Sequence, residues 1–360
     1  MDLNTRCTNE SWGTTRCEPM LDRHGNDVAV VVSKVAYSVS PAGRVSLVYR
    51  PVRTGDIQDE RGGLRYPSDL ADDKPGTDVV LVGTSRPPRG KSIDRQLAWL
   101  SVGPLRKVVQ VFGRRLYTAD FSGVVPGPPA TLGETPLRYD LAFGGIDRSG
   151  GGWADEPHNP LGRGFALDPK SLIGTEAPRL EPVADPRTGR VPHPSHGCFA
   201  PIPPDWEPRR SLVGTHDLEW VEKRAPVRPR DFSTKHHLFA VPELHSDEPL
   251  TGDEPFEVGG VLAEGLWKFQ LPRYAFSFFV KLATDEAPRE LSTHLDTVLV
   301  DADERVVELV YRASFVLPRK WELLERVIGR GVGTMPDEVL EVDARGSDAR
   351  SEARGSPAPP

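Results

Sequence analysis

Three cysteines in 360 residues, Cys7, Cys17 and Cys198, are too few for a disulfide framework. Between a Cys7–Cys17 bridge and unpaired cytoplasmic thiols, the second is the expectation. Long apolar runs are also missing, so no stretch has the length of a membrane span. Met1-Asp2-Leu3-Asn4 opens neither the charged nor the apolar region of a signal peptide. Basic excess is absent too: 45 Lys and Arg against 52 Asp and Glu give a formal net charge of -7. That balance favours solubility and lacks a nucleic-acid footprint. No repeat of fixed period breaks the chain into arrays. These absences predict a cytoplasmic protein with neither nucleic-acid nor membrane partners.

Glycine and proline are abundant instead, at 34 and 36 residues, which favours short strands and loops over long helices. They crowd into the stretch from Leu137 to Phe232. Glycines there permit positive φ or close backbone approach, and prolines remove hydrogen-bond donors. Tyr139, Phe143, Phe165, Phe199, Trp206, Trp220 and Phe232 give those loops something to bury, which predicts order rather than disorder.

Strand patterns flank this platform. Asp27 to Ser40 is a β-branched run followed by Pro41-Ala42-Gly43 and a second strand to Arg50, a hairpin pattern. Residues 78–82, 97–102, 107–112 and 115–117 continue the rhythm, and strands resume from Pro255 to Leu317, with a hairpin loop at Asp301-Ala302-Asp303-Glu304. Trp321, Leu324 and Ile328 share a helical face, so residues 318–328 read as the best helix, ended by Gly329 and Gly331. The expected fold is mainly β, with antiparallel sandwich-like halves joined by an ordered Gly/Pro/Trp-rich loop platform and few helices. The regions are a polar, loosely held lead-in (1–21), an N-terminal β region (22–130), the platform (131–254), a C-terminal β region with a short helix (255–340) and a disordered tail (341–360).

Each apparent chemical motif is incomplete. The stretch Gly83 to Ser92 imitates a phosphate-binding loop, but residue 85 is Ser and Pro87-Pro88 removes two backbone donors, so a polar connection is expected. His193, His196 and Cys198 are suitable metal ligands without regular spacing, and His158 and His216 are the other histidines weighed with them; ordinary loop histidines are favoured, and no metal or cofactor is assigned. Asp205, Asp217 and Asp231 lie near Arg209, Arg210 and Arg224 in the chain, a mixture expected to form arginine–carboxylate pairs that pin loops together. Ser195, Ser211 and Cys198 lack a nucleophile-elbow context. Trp206, Trp220, Arg209 and Arg210 are residue types that anchor protein interfaces as readily as cores.

A set of blocks in shared order carries a resemblance. They are Tyr139 with Ala142-Phe143-Gly144-Gly145; Asn159-Pro160-Leu161-Gly162-Arg163-Gly164; Gly197 with Phe199-Ala200-Pro201-Ile202; and Trp206 with Arg209. Gly214-Thr215 with Asp217 and Trp220 follows, then Arg224 and Pro226, then Pro229 with Asp231-Phe232. Ser68-Asp69-Leu70 and Lys74-Pro75 with Thr77-Asp78-Val79 form an early block. Together they resemble a bacterial domain-of-unknown-function family, commonly encoded beside type VI secretion spike and toxin genes and regarded as adaptor chaperones. The resemblance spans about residues 22–317; Ser233-Thr234-Lys235-His236-His237 departs from the family pattern. It implies a non-enzymatic adaptor that binds a secreted toxin and loads it onto a valine-glycine repeat spike with its PAAR-type tip. The rival reading is a hydrolase-like enzyme whose carboxylate and histidine site in the platform uses Asp217, Asp231 and His216.

Overall fold

The computed structural model describes residues 2–40, 44–149, 152–183, 196–318, 321–333 and 338–339. Pro41, Ala42 and Gly43, His193 and Ser195, and the tail 341–360 lie outside the described residues.

The β-branched run of the sequence becomes the longest strand, Asp27–Val39, buried along nearly its whole length. It is the centre of an eight-stranded sheet. Val306–Val316 flanks it on one side, and Thr14–Leu21 and Val45–Val48 pair with it as well. Beyond Val306–Val316 come His294–Asp301, Thr77–Val82 and the short His245–Ser246, while Glu338–Val339 lies beyond Val45–Val48. The hairpin expected around Asp301–Glu304 is present, with Asp301 opposite Val306.

Thr77–Val82 pairs parallel to His294–Asp301, with Asp78 opposite Thr297. A parallel pair needs a crossover, and the connection from 83 to 293 carries the platform and a second sheet. That five-stranded sheet runs Leu180–Pro182, Leu105–Phe112, Arg95–Val102, Pro255–Leu262 and Gly265–Gln270. Strands from both sides of the platform therefore share sheets. The fold is mainly β, with mixed and antiparallel sheets and no barrel. Leu218–Lys223 is the single α-helix among the described residues.

Two expectations are corrected. The lead-in is not loosely held: Thr14–Leu21 pairs with Asp27–Val39, and Cys7–Asn9 pairs parallel to Leu324–Gly333. Leu3 and Cys17 are buried there, so apolar burial and ladder bonds tie down a segment whose composition is polar. The helix expected over 318–328 is instead a short 3-10 turn, Trp321–Leu323, followed by the strand Leu324–Gly333. Gly329 and Gly331 do not end a helix. They face Phe276 and Tyr274 across the strand pair, and a Cβ on Gly331 would fall 2.1 Å from the Tyr274 hydroxyl. These glycines make room for rings. Trp267, Phe256, Phe278 and Leu137 are fully buried in the main core, which runs from Leu3 to Val327.

Candidate functional site

The platform residues singled out in the sequence build its scaffold. Phe143-Gly144 pairs parallel to Arg163-Gly164, and Asn159 ties the knot: its Nδ2 donates to the carbonyls of Tyr139 at 2.9 Å and Phe143 at 2.8 Å. Gly144 has φ +149°, and a Cβ there would lie 2.1 Å from the Asn159 carbonyl, so only glycine fits. Gly145 has φ +116° with the Gly162 carbonyl beside it, and Gly162 packs its backbone against Gly144. Gly164 leaves space for the Tyr117 hydroxyl. Pro160 follows Asn159 at this turn, half-buried. Arg163 donates to the Asp140 carbonyl at 2.7 Å and pairs with Glu176.

Trp206 is buried edge-on against Tyr139, whose hydroxyl donates to the Ala200 carbonyl at 2.9 Å. Arg209 is buried, and no carboxylate among the described residues pairs with it; it donates to the carbonyls of His236 at 2.9 Å and Ile202 at 2.5 Å. Burial pushes its guanidinium down to about 10. Arg224 likewise donates to the Arg228 and Arg23 carbonyls, and Arg210 pairs with Glu207. The expected pairs with Asp205, Asp217 and Asp231 are thus replaced, chiefly by arginine–carbonyl bonds that satisfy loop acceptors which helices and sheets leave over.

Asp217 caps the helix Leu218–Lys223, accepting from the Trp220 N–H at 2.8 Å. Asp231 accepts from the Thr215 N–H at 3.0 Å and its hydroxyl at 2.8 Å, closing the turn at Gly214, whose φ is +81°. Those bonds hold the Asp231 carboxyl below its usual range. His216 lies edge-on against Trp220, which is half-buried and donates to the Val227 carbonyl at 2.7 Å. Pro226 follows a cis peptide bond, and Phe232 is buried beneath the Arg228 guanidinium. The rival enzyme's three groups are neighbours on an exposed turn, with both carboxylates committed to backbone. His196 is buried beside His158 and Tyr139, and Cys198 donates to the Leu137 carbonyl at 3.1 Å. Burial raises that thiol to about 12, which makes it an inert core group. Among the described residues no group of three or more His, Cys, Asp or Glu is placed to hold a metal ion. The loop after Thr84 is a polar connection, with Thr84 bonded to Asp303 and Arg86 paired to the same carboxylate.

The densest chemistry lies elsewhere, in a buried ionic layer on one face of the large sheet. Lys34 Nζ meets Asp69 at 2.5 Å and Glu308 at 3.1 Å, and Arg53 donates to Glu308 at 2.6 Å. Lys74 pairs with Asp78 at 3.0 Å and donates to the Thr297 hydroxyl at 2.6 Å. Arg312 stands 3.0 Å from Asp296 and donates to the Asp69 carbonyl at 2.5 Å. Asp72 is held by Arg228 at 2.5 Å and His237 at 2.9 Å. Burial alone would raise the Asp72 carboxyl; those two hydrogen bonds outweigh it and bring it down to about 2. Asp78, likewise buried, is lowered by Lys74, His245 and the Phe239 N–H.

Asp69, Lys74, Thr77 and Asp78 belong to the early sequence block, so its residues have a physical role: Asp69 and Lys74 staple the segment before Thr77–Val82 to the sheet, and Asp78 holds the crossover through the Phe239 N–H and His245. Lys34, Glu308 and Arg312 were missed as site residues. Their signal was charge inside β-branched runs, one in Asp27–Val39 at Lys34 and two in Val306–Val316, tolerated in a buried strand only when paired. A pocket of about 390 Å³ opens at one end of this layer, floored by Asp72, Lys74, Asp296 and Arg312.

The chain is therefore a mainly-β scaffold whose long crossover is pinned by glycine knots and a buried ionic layer. It belongs to the family described as "Uncharacterized protein conserved in bacteria (DUF2169)", whose model matches residues 24–312. No curated protein and no solved structure matches it.

Proposed function

We propose that this protein is an adaptor that binds a type VI secretion toxin and presents it to the spike and its PAAR-type tip. The observation that carries the reading is the apolar surface of the platform and of the hairpin just before it. Trp153 is 73% exposed and Leu167 66%, while Phe121 stands fully exposed at a hairpin tip. Ile146, opposite Asp155 in the small ladder that Trp153 precedes, and Ile173 are exposed as well. The Leu167 N–H donates to the Asp147 carboxylate at 2.7 Å, which ties the Leu167 loop to the strand that carries Ile146. The Gly174 N–H donates to the Tyr117 carbonyl at 2.9 Å, bringing Ile173 to the base of the hairpin that carries Phe121.

Exposed aromatic side chains on an ordered scaffold are the raw material of interface anchors. Two standard interfaces of about 800 Å² per side fit on a chain of this size. The hydrolase reading has less support. A general acid needs a carboxyl raised toward neutral pH, whereas Asp231 is held low and Asp217 is spent on a helix cap.

Co-expression of the full chain with type VI toxin and spike proteins of the same bacterium tests the proposal. Trp153→Ser combined with Phe121→Ser is expected to reduce toxin or spike co-purification at least tenfold while the Tm holds. Failure of both partners to co-purify with the wild-type chain, together with intact toxin export from a deletion strain, overturns it.

A further inference from the structure

The pocket at the end of the ionic layer is lined on its floor by buried charges and at its mouth by exposed ones, Asp73 and Glu290. Three of the floor charges are committed. Lys74 is bound to Asp78 and Thr297, and Asp72 to Arg228 and His237. Asp296 accepts from the Thr297 hydroxyl at 2.8 Å and stands by Arg312. Arg312 differs. It is only 7% exposed and lines the pocket, yet its Nε and Nη1 find no hydrogen-bond acceptor among the described residues. The nearby Asp296 carboxylate compensates its charge at 3.0 Å but lies outside hydrogen-bond geometry. A buried guanidinium with unused donors is costly, and an acceptor arriving through the pocket removes that cost.

Charge decides what kind of acceptor arrives. Four carboxylates line the pocket, Asp72, Asp73, Glu290 and Asp296, against the two fixed cations Lys74 and Arg312. A simple anion satisfies Arg312 but meets a net negative lining. A simple cation suits the mouth but leaves Arg312 unsatisfied. We propose that the pocket binds a small zwitterion of the α-amino-acid class. Its carboxylate accepts from Arg312, and its ammonium sits toward the mouth near Asp73 and Glu290. A free amino acid fits within a volume of about 390 Å³. The binding is noncovalent and stands independently of the adaptor reading.

Calorimetric titration of the full-length chain with glycine, L-lysine and L-glutamate tests it, with acetate and methylammonium as half-ligands. At least one amino acid is expected to saturate, while neither half-ligand does so at the same concentration. Arg312→Gln is expected to weaken binding at least tenfold. Because that change touches the buried layer, a second variant is decisive: Asp73→Asn with Glu290→Gln alters only exposed groups. It is expected to keep the wild-type Tm and weaken binding about tenfold. Absence of saturable binding by any of the three amino acids overturns the proposal. So does acetate binding as tightly as the best amino acid, or a mouth variant that binds as the wild type does.

Discussion

Lys34 and Asp69 meet at 2.5 Å with essentially no solvent reaching either side chain. Lys34 lies in the central strand of the large sheet and Asp69 in the segment laid across it, so the pair joins two layers of the fold. Glu308 from the neighbouring strand completes the contact, and Arg53 reaches both acids. Such a layer specifies where that segment docks, because any shift strands a charge in an apolar environment.

Truncating one partner should therefore be worse than losing an ordinary surface pair. Lys34→Met leaves Asp69 and Glu308 facing each other with Arg53 as the cation they share and Arg50 4.0 Å from Glu308, and breaking a buried pair costs about 3–5 kcal/mol. Urea denaturation is expected to show a loss of that size. A loss below about 1 kcal/mol, the range of exposed pairs, would mean that water reaches the layer.

How much of this was legible in the sequence depended on the range of the cause. The Asp27–Val39 strand and the turn after Asp301 were legible because β-branching and turn chemistry act locally. The Cys7–Asn9 strand was not, because its partner, Leu324–Gly333, lies at the far end of the chain and leaves no local pattern. Leu324 and Ile328 misled for a different reason: a spacing of four suits both a helix face and alternate positions of a strand, and the distant Tyr274 and Phe276 rings decided between them. The glycines of the platform and Asn159 were legible as special positions, but the bonds from Asn159 to the Tyr139 and Phe143 carbonyls span 20 and 16 residues and leave no local pattern. Asp217 and Asp231 were expected to pin loops through arginines; they pin them through backbone N–H groups and the Thr215 hydroxyl instead. The ionic layer was hidden because the partners of the charges crowded between Asp69 and Asp78 lie far off in the chain, at Lys34, Arg228, His237 and Glu308.

His196 gives a pH dependence. Burial lowers its basicity, and the charge of Lys107 adds to that, which brings the ring down to about 4; the Glu243 carboxylate and Glu207 backbone offset only part. The folded protein thus favours the neutral ring relative to an unfolded value near 6.5. The sign follows: this contribution is complete above about pH 6.5, declines as pH falls and is gone below about 4, an effect of about 3 kcal/mol at most. Urea midpoints at pH 7.5 and 4.5 should drop further for the wild type than for His196→Leu. Equal drops would assign the acid sensitivity of this window to other groups.

Trp206 and Trp220 share a sequence neighbourhood but not an environment. Trp206 is buried edge-on against Tyr139, whose hydroxyl binds the Ala200 carbonyl, and Arg209 three residues on ties this loop to His236. Trp220 is half-buried on the short helix, held by His216 and by one bond to the Val227 carbonyl. Truncating a buried tryptophan removes its burial and leaves a cavity, at about 3–5 kcal/mol. Trp206→Ala should therefore show the larger loss, with platform loops opening to limited proteolysis. Trp220→Ala should cost about 1–2 kcal/mol, because much of its surface is already in water. Thermal melts of the two variants side by side check the ordering. A Trp220 variant as destabilised as the Trp206 variant would show that the short helix is an essential part of the platform core.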